Sequence, residues 1–242
     1  MGKLLLFRHA QASYGSDDYD QLSDLGYQQA HRLGKYLVEK NVQIDKIYVG
    51  ELKRHRQTYD MVAEAYADNF EPLPAPIVLP EINEHRWPET LRHIMDELIE
   101  HDAQVKTWSE IKDDDGEIPK KYKLKIFHRG MDLWANGDLV HLQPQQYQDW
   151  LAFRQMTRSG LTTIQKNDGA TRGITVAAFT SGGTISAIMG HALGMKNEVK
   201  IAGLNGLVMN TSMTEYLFTA EQLTLKSFNY VPHLTEKMIT YV

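Results

Sequence analysis

The chain has 242 residues, 42% hydrophobic and 24% charged, enough for a substantial core in one large domain or two small ones. A formal net charge of −5 lacks the basic excess of a general nucleic-acid binder, and with zero cysteines there is no disulfide. No stretch approaches the ~20 apolar residues of a membrane helix, and residues 1–30 carry no signal-peptide pattern. The expectation is a cytoplasmic protein without nucleic-acid or membrane partners, its oligomeric state left open.

Residues 3–7, Lys-Leu-Leu-Leu-Phe, read as a buried strand that runs into Arg8-His9-Ala10. A polar loop follows over 8–21. Ser23 reads as an N-cap, and Leu25, Ala30, Leu33 and Leu37 recur at near-helical spacing to about residue 40. A second strand is predicted over 44–49 and a helix over 51–66, with Leu52, Tyr59, Val62 and Ala63 on its apolar side. Pro72, Pro74 and Pro76 make a stiff loop before the short run Ile77-Val78-Leu79.

Residues 83–145 differ in composition, being polar and rich in His, Asp, Lys and Trp. Pro88 opens a helix predicted over 89–101, and another is predicted over 119–136. Residues 144–166 read as a helix with Trp150, Leu151, Phe153, Met156 and Leu161 as core candidates. Residues 174–179 are a second near-continuous apolar strand, which breaks at Thr180-Ser181-Gly182-Gly183 before a helix over 184–194. Strands at about 207–217 and 223–229 close the chain.

Strands alternating with helices imply an α/β fold, a mostly parallel sheet covered on both faces, with 83–145 as a helical cap inserted in one domain spanning 1–242. Such sheets bind ligands beyond the carboxyl ends of their strands. Arg8 suits a phosphate or carboxylate because its planar fork donates two hydrogen bonds, and His9 suits a nucleophile or proton carrier. If strands 3–7 and 174–179 are neighbours, Arg8-His9 and Ser181-Gly182-Gly183 line one pocket. The paired glycines then let backbone N–H groups approach an anion at a helix N-terminus. Arg-His recurs at Arg54-His55 and Arg92-His93, both in polar helix-like stretches that read as solvated faces. The basic cluster Lys120, Lys121, Lys123, Lys125, His128 and Arg129 follows Asp113–Asp115 and reads as a solvated loop and helix face; the sharper alternative is a lid for an anionic substrate.

Several ordered motifs resemble the histidine phosphatase superfamily, also called phosphoglycerate mutase-like, over nearly the whole chain. Leu6-Phe7-Arg8-His9-Ala10 is similar to its opening strand and Arg-His-Gly, and Leu22-Ser23-Asp24-Leu25-Gly26 with Gln29-Ala30 to its first helix. The segment from Ile47 to Arg54, continuing to Gln57-Thr58, resembles its second-arginine motif. Leu79-Pro80-Glu81-Ile82, with Trp87 following, resembles its acid segment, and Val176 to Gly183 its late strand and turn. Asn210-Thr211-Ser212, Phe228-Asn229 and His233-Leu234 resemble its C-terminal strands.

The resemblance implies a three-layer α/β/α sandwich and a phosphorylated nucleophile at His9. It implies that Arg8 and Arg54 hold the phosphoryl oxygens, with Ser181 and Gly182 completing the phosphate cradle. Glu81 protonates the leaving oxygen, with Glu84 and Glu89 as rivals, and no metal or cofactor is implied. Three positions depart from the pattern: Ala10 for a glycine, Gly50 for a serine, and Ser181 for a second histidine. Serine is a shorter, uncharged donor, and losing one such donor costs about 10²–10³ in rate. His85, His128, His141 and His191 are the histidines considered to reach in, and Ser181→His is expected to raise turnover where the pocket has room.

The function expected is a phosphomonoester phosphatase acting on a small phosphorylated substrate chosen by the 83–145 cap. Trp87, Trp108 and Trp134 either line an apolar pocket there or pack the core. A mutase is disfavoured, because it must retain its intermediate and exclude water. The alternatives are a phospho-ligand or protein-binding module that keeps the anion cradle without efficient turnover, and a serine hydrolase at Ser181. The last lacks Gly-x-Ser-x-Gly, since Phe179 stands two residues before the serine.

Overall fold

In the computed structural model, Gly2–Arg8 forms β1, and its apolar residues are buried on both sides of the sheet. Residues 1–13, 20–68, 72–142 and 147–241 are described. The loop predicted over 8–21 and the helix predicted from 144 fall in part outside the described residues. After β1 come α1 (Asp24–Glu39), β2 (Lys46–Val49), α2 (Lys53–Ala67), β3 (Ile77–Val78) and a 3-10 turn, Pro80–Ile82. Then follow α3 (Trp87–His93), α4 (Met95–His101), α5 (Ala103–Ser109), α6 (Lys120–Asn136) and α7 (Trp150–Asp168). The chain closes with β4 (Thr175–Thr180), α8 (Gly182–Ala192), α9 (Glu198–Leu204), β5 (Met213–Phe218) and β6 (Leu223–Tyr230).

The chain divides into two compact units: Met1–Glu84, Met156–Met195 and Leu204–Val242 form one, His85–Gln155 and Lys196–Gly203 the other. The first holds a six-stranded sheet of order β3-β2-β4-β1-β5-β6. Strands β1 to β4 are parallel, β5 is antiparallel to β1, and β6 is antiparallel to β5. Leu4 and Leu6 pack with Leu161, Ile164, Ile185 and Ile188 of α7 and α8. Leu5 and Phe7, one residue out of phase, pack with Leu33, Leu37, Tyr59 and Val62 of α1 and α2. Period-two alternation on a twice-covered sheet thus produces the three-layer α/β/α sandwich. Lys46 Nζ and Tyr48 Oη donate to Asp168 at 2.6 and 2.8 Å, pinning the end of α7 to β2.

The second unit is built around aromatic rings. Trp87 and Trp134 stack with centroids 5.4 Å apart, and Trp150 meets Trp134 edge-on at 5.4 Å. All three are fully buried, so Trp87 is a core residue, while Trp134 packs in the core and also lines a cavity of about 350 Å³ with Val140, Trp150 and Leu151.

Four element assignments change. The helix predicted over 89–101 is two helices broken at Ile94, whose φ of −100° and ψ of 13° leave the helical basin. Two short helices, α5 and α9, are additions. Asp102 caps α5 by accepting from Gln104 and Val105 N, and Arg129 grips its other oxygen. The strand predicted over 207–217 begins only at Met213, because Thr211 sits at φ 56° and breaks extended geometry. Among the described residues no helix is long and apolar enough to cross a membrane.

Candidate active site

In the sheet order, β2, β4 and β1 are consecutive, so the loops after them meet at one carboxyl edge. Arg8 pairs with Thr180, His9 N donates to Thr180 O at 2.8 Å, and Gly50 N donates to Phe179 O at 3.2 Å. The two apolar strands are therefore neighbours, and Arg8-His9, Gly50 and Ser181 stand side by side.

The loop carrying His9 is fixed by polar residues of the resembling motifs. Ala10 N donates to Thr58 Oγ1 at 3.0 Å, Gln11 N to Gln29 Oε1 at 2.8 Å, and Leu22 N to Gln57 Oε1 at 2.9 Å. Asn210 Nδ2 donates to His9 O at 3.1 Å.

The His9 ring itself is held in one tautomer. Nδ1–H donates to Ala10 O at 2.7 Å, which leaves the lone pair on Nε2. Arg54 Nε donates to that Nε2 at 3.2 Å. Burial, then the Arg54 and Arg8 guanidinium groups, then His55, hold the His9 pKa well below the usual histidine range. The ring is a neutral base at neutral pH.

Both arginines are anchored. Arg54 Nη1 donates to Asp20 Oδ1 at 2.6 Å, and Asp20 Oδ2 accepts from Lys53 N at 2.8 Å. Arg8 Nη1 donates to Val208 O. Gly182 has no room for a side chain: a Cβ there would lie 2.3 Å from Asn205 Oδ1 and 3.5 Å from Arg8 Nε. Gly183 N, considered in sequence as an anion donor, donates to Glu84 Oε2 at 3.2 Å.

Ser181 is fully buried, and its Oγ lies 2.6 Å from Nε2 of His55. None of the four histidines considered from sequence fills this place. His85 is packed against Trp134 and Phe153, and His128, His141 and His191 are exposed. His55 is not on a solvated face: its ring is fully buried, with its centroid 5.7 Å from that of His9. Burial, then Arg54, holds its pKa well below the usual histidine range. Its Nδ1 is buried without a hydrogen-bond partner among the described residues, a deficit of about 1–3 kcal/mol.

Glu81 lies on the Pro80–Ile82 turn, which Thr180 Oγ1 ties to the end of β4 by donating to Ile82 O at 2.5 Å. Glu81 Oε2 is buried and has no hydrogen-bond partner among the described residues. The geometry gathers His9, Arg8, Arg54 and Ser181, and the turn that carries Glu81 is tied to Thr180, the residue before Ser181. Sequence reading missed Asp20 and His55. Nothing in a loop with Asp17, Asp18 and Asp20 marks the one that grips Arg54. For His55 a signal existed: Gly50 and Ser181 are both smaller than the resemblance expects.

A cavity of about 570 Å³ is lined by Arg32, Lys35, Tyr36 and His233 among others, and by none of the residues gathered around His9. The candidate site is instead the buried His9 ring with Arg8 and Arg54 beside it. Among the described residues no cluster of three or more His, Asp or Glu is placed to hold a metal ion.

The fold recurs in solved structures of low identity. A phosphoserine phosphatase mutant from Entamoeba histolytica, crystallised with phosphoserine, is 18% identical with TM-score 0.61, covering 97% of this chain and 100% of its own. A mycobacterial glucosyl-3-phosphoglycerate phosphatase is 16% identical with TM-score 0.62, covering 94% and 98%. A phosphoglycerate mutase from Bacillus anthracis is 18% identical with TM-score 0.61, covering 96% and 94%. No curated protein matches the chain. Residues 4–128, which carry Arg8-His9, Arg54 and Glu81, match the family model of the histidine phosphatase superfamily (branch 1), and the chain belongs to that superfamily.

Proposed function

We propose that the protein is a phosphomonoester phosphatase working through a phosphohistidine on His9. The observation that carries this reading is the Nε2 lone pair of His9, fixed by the Nδ1–H bond to Ala10 O and faced by Arg54. Family membership supports phosphatase chemistry in general, and solved structures of the same fold include enzymes named as phosphatases.

In the scheme, Nε2 attacks phosphorus while the ester P–O bond breaks. Glu81 gives its proton to the leaving oxygen, releasing an alcohol. Water then attacks the phosphorus, its proton passes to the Glu81 carboxylate, and the P–N electrons return to Nε2 as inorganic phosphate leaves. Arg8 and Arg54 offset charge on the phosphoryl oxygens, the electrostatic work on which phosphoryl transfer depends, so no step is routed through a metal. The unpartnered Oε2 of Glu81 supports its role as the proton carrier.

The test is release of phosphate from an aryl phosphate, together with rapid acid and alkaline quenching for an acid-labile, alkali-stable phosphoenzyme. His9→Ala abolishes both. Release unaffected by His9→Ala, or its absence across a broad phosphoester panel, rejects the reading. Phosphate transfer to an added phospho-acceptor in place of water identifies a mutase instead.

A further inference from the structure

His55 enters the centre from the first turn of α2, separate from the strand that carries His9 and the turn that carries Ser181. Three local features commit to it. Gly50 leaves it space, since a Cβ at that position would lie 2.2 Å from His55 Nδ1 and 2.7 Å from Asn83 Oδ1. Ser181 occupies the N-cap position of α8, yet its side chain caps no backbone N–H. An N-cap serine ordinarily accepts from the first turn. Here its hydroxyl meets His55 Nε2 at 2.6 Å, and the Gly183 N–H goes to Glu84. Both members of the pair are fully buried beside the His9 ring. A buried polar pair with an unpartnered ring nitrogen calls for a functional explanation, since apolar side chains would fill the space without that deficit.

We propose that His55 and Ser181 form one hydrogen-bonding unit, in which His55 fixes the Ser181 hydroxyl so that its Oγ–H donates to the phosphoryl group carried by His9. The proposal rests on the phosphohistidine reading and adds one donor to it. Ser181 touches the phosphoryl oxygen; His55 is a positioning residue. The neutral ring donates Nε2–H to an Oγ lone pair, which turns the hydroxyl proton outward. No proton changes owner. Burial and the Arg54 charge keep the ring neutral, so Nε2 carries at most one proton to donate. The opposite arrangement, with Nε2 accepting from Oγ–H, would make Ser181 the nucleophile, and the experiment separates the two.

His55→Gln keeps an N–H donor near the Nε2 position, whereas His55→Leu removes it. Expected are kcat losses of about 10²-fold in Ser181→Ala and in His55→Leu, with KM changed little, and the same loss in the double variant, because residues acting as one unit are not additive. His55→Gln stays within about tenfold of the wild type, which a merely space-filling role does not predict. Binding of inorganic phosphate by calorimetry gives a readout without turnover: affinity falls about tenfold in each variant and no further in the double. Multiplying losses, unchanged phosphate affinity, or His55→Gln as impaired as His55→Leu overturns the unit. A phosphoserine at Ser181 that survives acid and persists in His9→Ala overturns it in favour of serine chemistry. If His9→Ala abolishes release while the Ser181 and His55 variants match the wild type in rate and phosphate affinity, the unit fails and the phosphatase reading stands.

Discussion

Arg54 donates from Nε to the lone pair of His9 Nε2 across 3.2 Å. A cation thus faces the one ring nitrogen of His9 that keeps a lone pair. On the proposed phosphohistidine reading the same guanidinium must also meet the phosphoryl oxygens, which requires its plane to be held from behind. Asp20 holds it, with one oxygen on Nη1 at 2.6 Å and the other on the Lys53 N–H at 2.8 Å.

Asp20→Ala is therefore expected to lower kcat/KM for an aryl phosphate by roughly tenfold, about 1.4 kcal/mol of transition-state stabilisation, through misplacement of Arg54. Asp20→Asn keeps an acceptor and loses less. Steady-state kinetics check this; an Asp20→Ala enzyme at wild-type efficiency would show that Arg54 positions itself.

Stability should fall on mild acidification. His9 and His55 have pKa values held well below 6.5, and His233 is lowered to about 4 by burial and then Arg32. Above pH 6.5 these rings are neutral both folded and unfolded, so they contribute no pH dependence. Below it the unfolded chain takes up protons that the folded chain refuses, so stability declines as pH falls, by up to roughly 1.4 kcal/mol per pH unit for each ring. Urea unfolding between pH 7 and pH 5 should show a falling midpoint, with a shallower fall in His233→Leu. A flat profile contradicts the buried neutral rings.

The parts of the fold that sequence reading reached are those where burial writes a pattern. Residues 3–7 and 174–179 are covered on both faces, so they read as unbroken apolar runs and were placed within a residue or two of β1 and β4. Ser23 and the Leu33 to Leu37 spacing likewise marked α1. The start of α2 had no such pattern: Arg54-His55-Arg56 is polar throughout and reads as solvated. Arg54 and His55 are in fact buried and only Arg56 is exposed. Hydrophobic periodicity detects burial against oil, and these two side chains are buried against other polar groups. The region around Thr211 failed for the converse reason. Its β-branched residues suggest extended chain, but a φ of 56° at Thr211 serves the hydrogen bond from its N–H to His9 O.

The tryptophans separate by role. Trp87 is fully buried against Trp134, whereas Trp108 is partly exposed with Lys125 Nζ 5.3 Å above its ring. Trp87→Ala is expected to cost about 3–5 kcal/mol of stability as a cavity opens. Trp108→Ala should cost about 1 kcal/mol, the scale of an exposed cation–π contact. Denaturant melts of the two variants give the comparison, and equal losses would mean that Trp87 is not a core residue.

The space opposite His9 holds one imidazole, and His55 fills it. Ser181→His alone cannot raise turnover as the sequence suggested, because the new ring would have to enter where His55 Nε2 already lies 2.6 Å from Oγ. Overpacking of this kind costs about 1–3 kcal/mol and displaces neighbours. Ser181→His is expected to be less stable and slower than the wild type. Ser181→His combined with His55→Ala removes the clash and should recover at least tenfold of the lost kcat. Gly50→Ala follows the same logic from the other side, since its Cβ would lie 2.2 Å from His55 Nδ1: it destabilises alone and is relieved in part by His55→Ala, the Asn83 Oδ1 contact at 2.7 Å remaining. Midpoints and kcat for the three single variants, His55→Ala included, and the two doubles form paired cycles. Strictly additive effects would mean that positions 50, 55 and 181 do not share one volume.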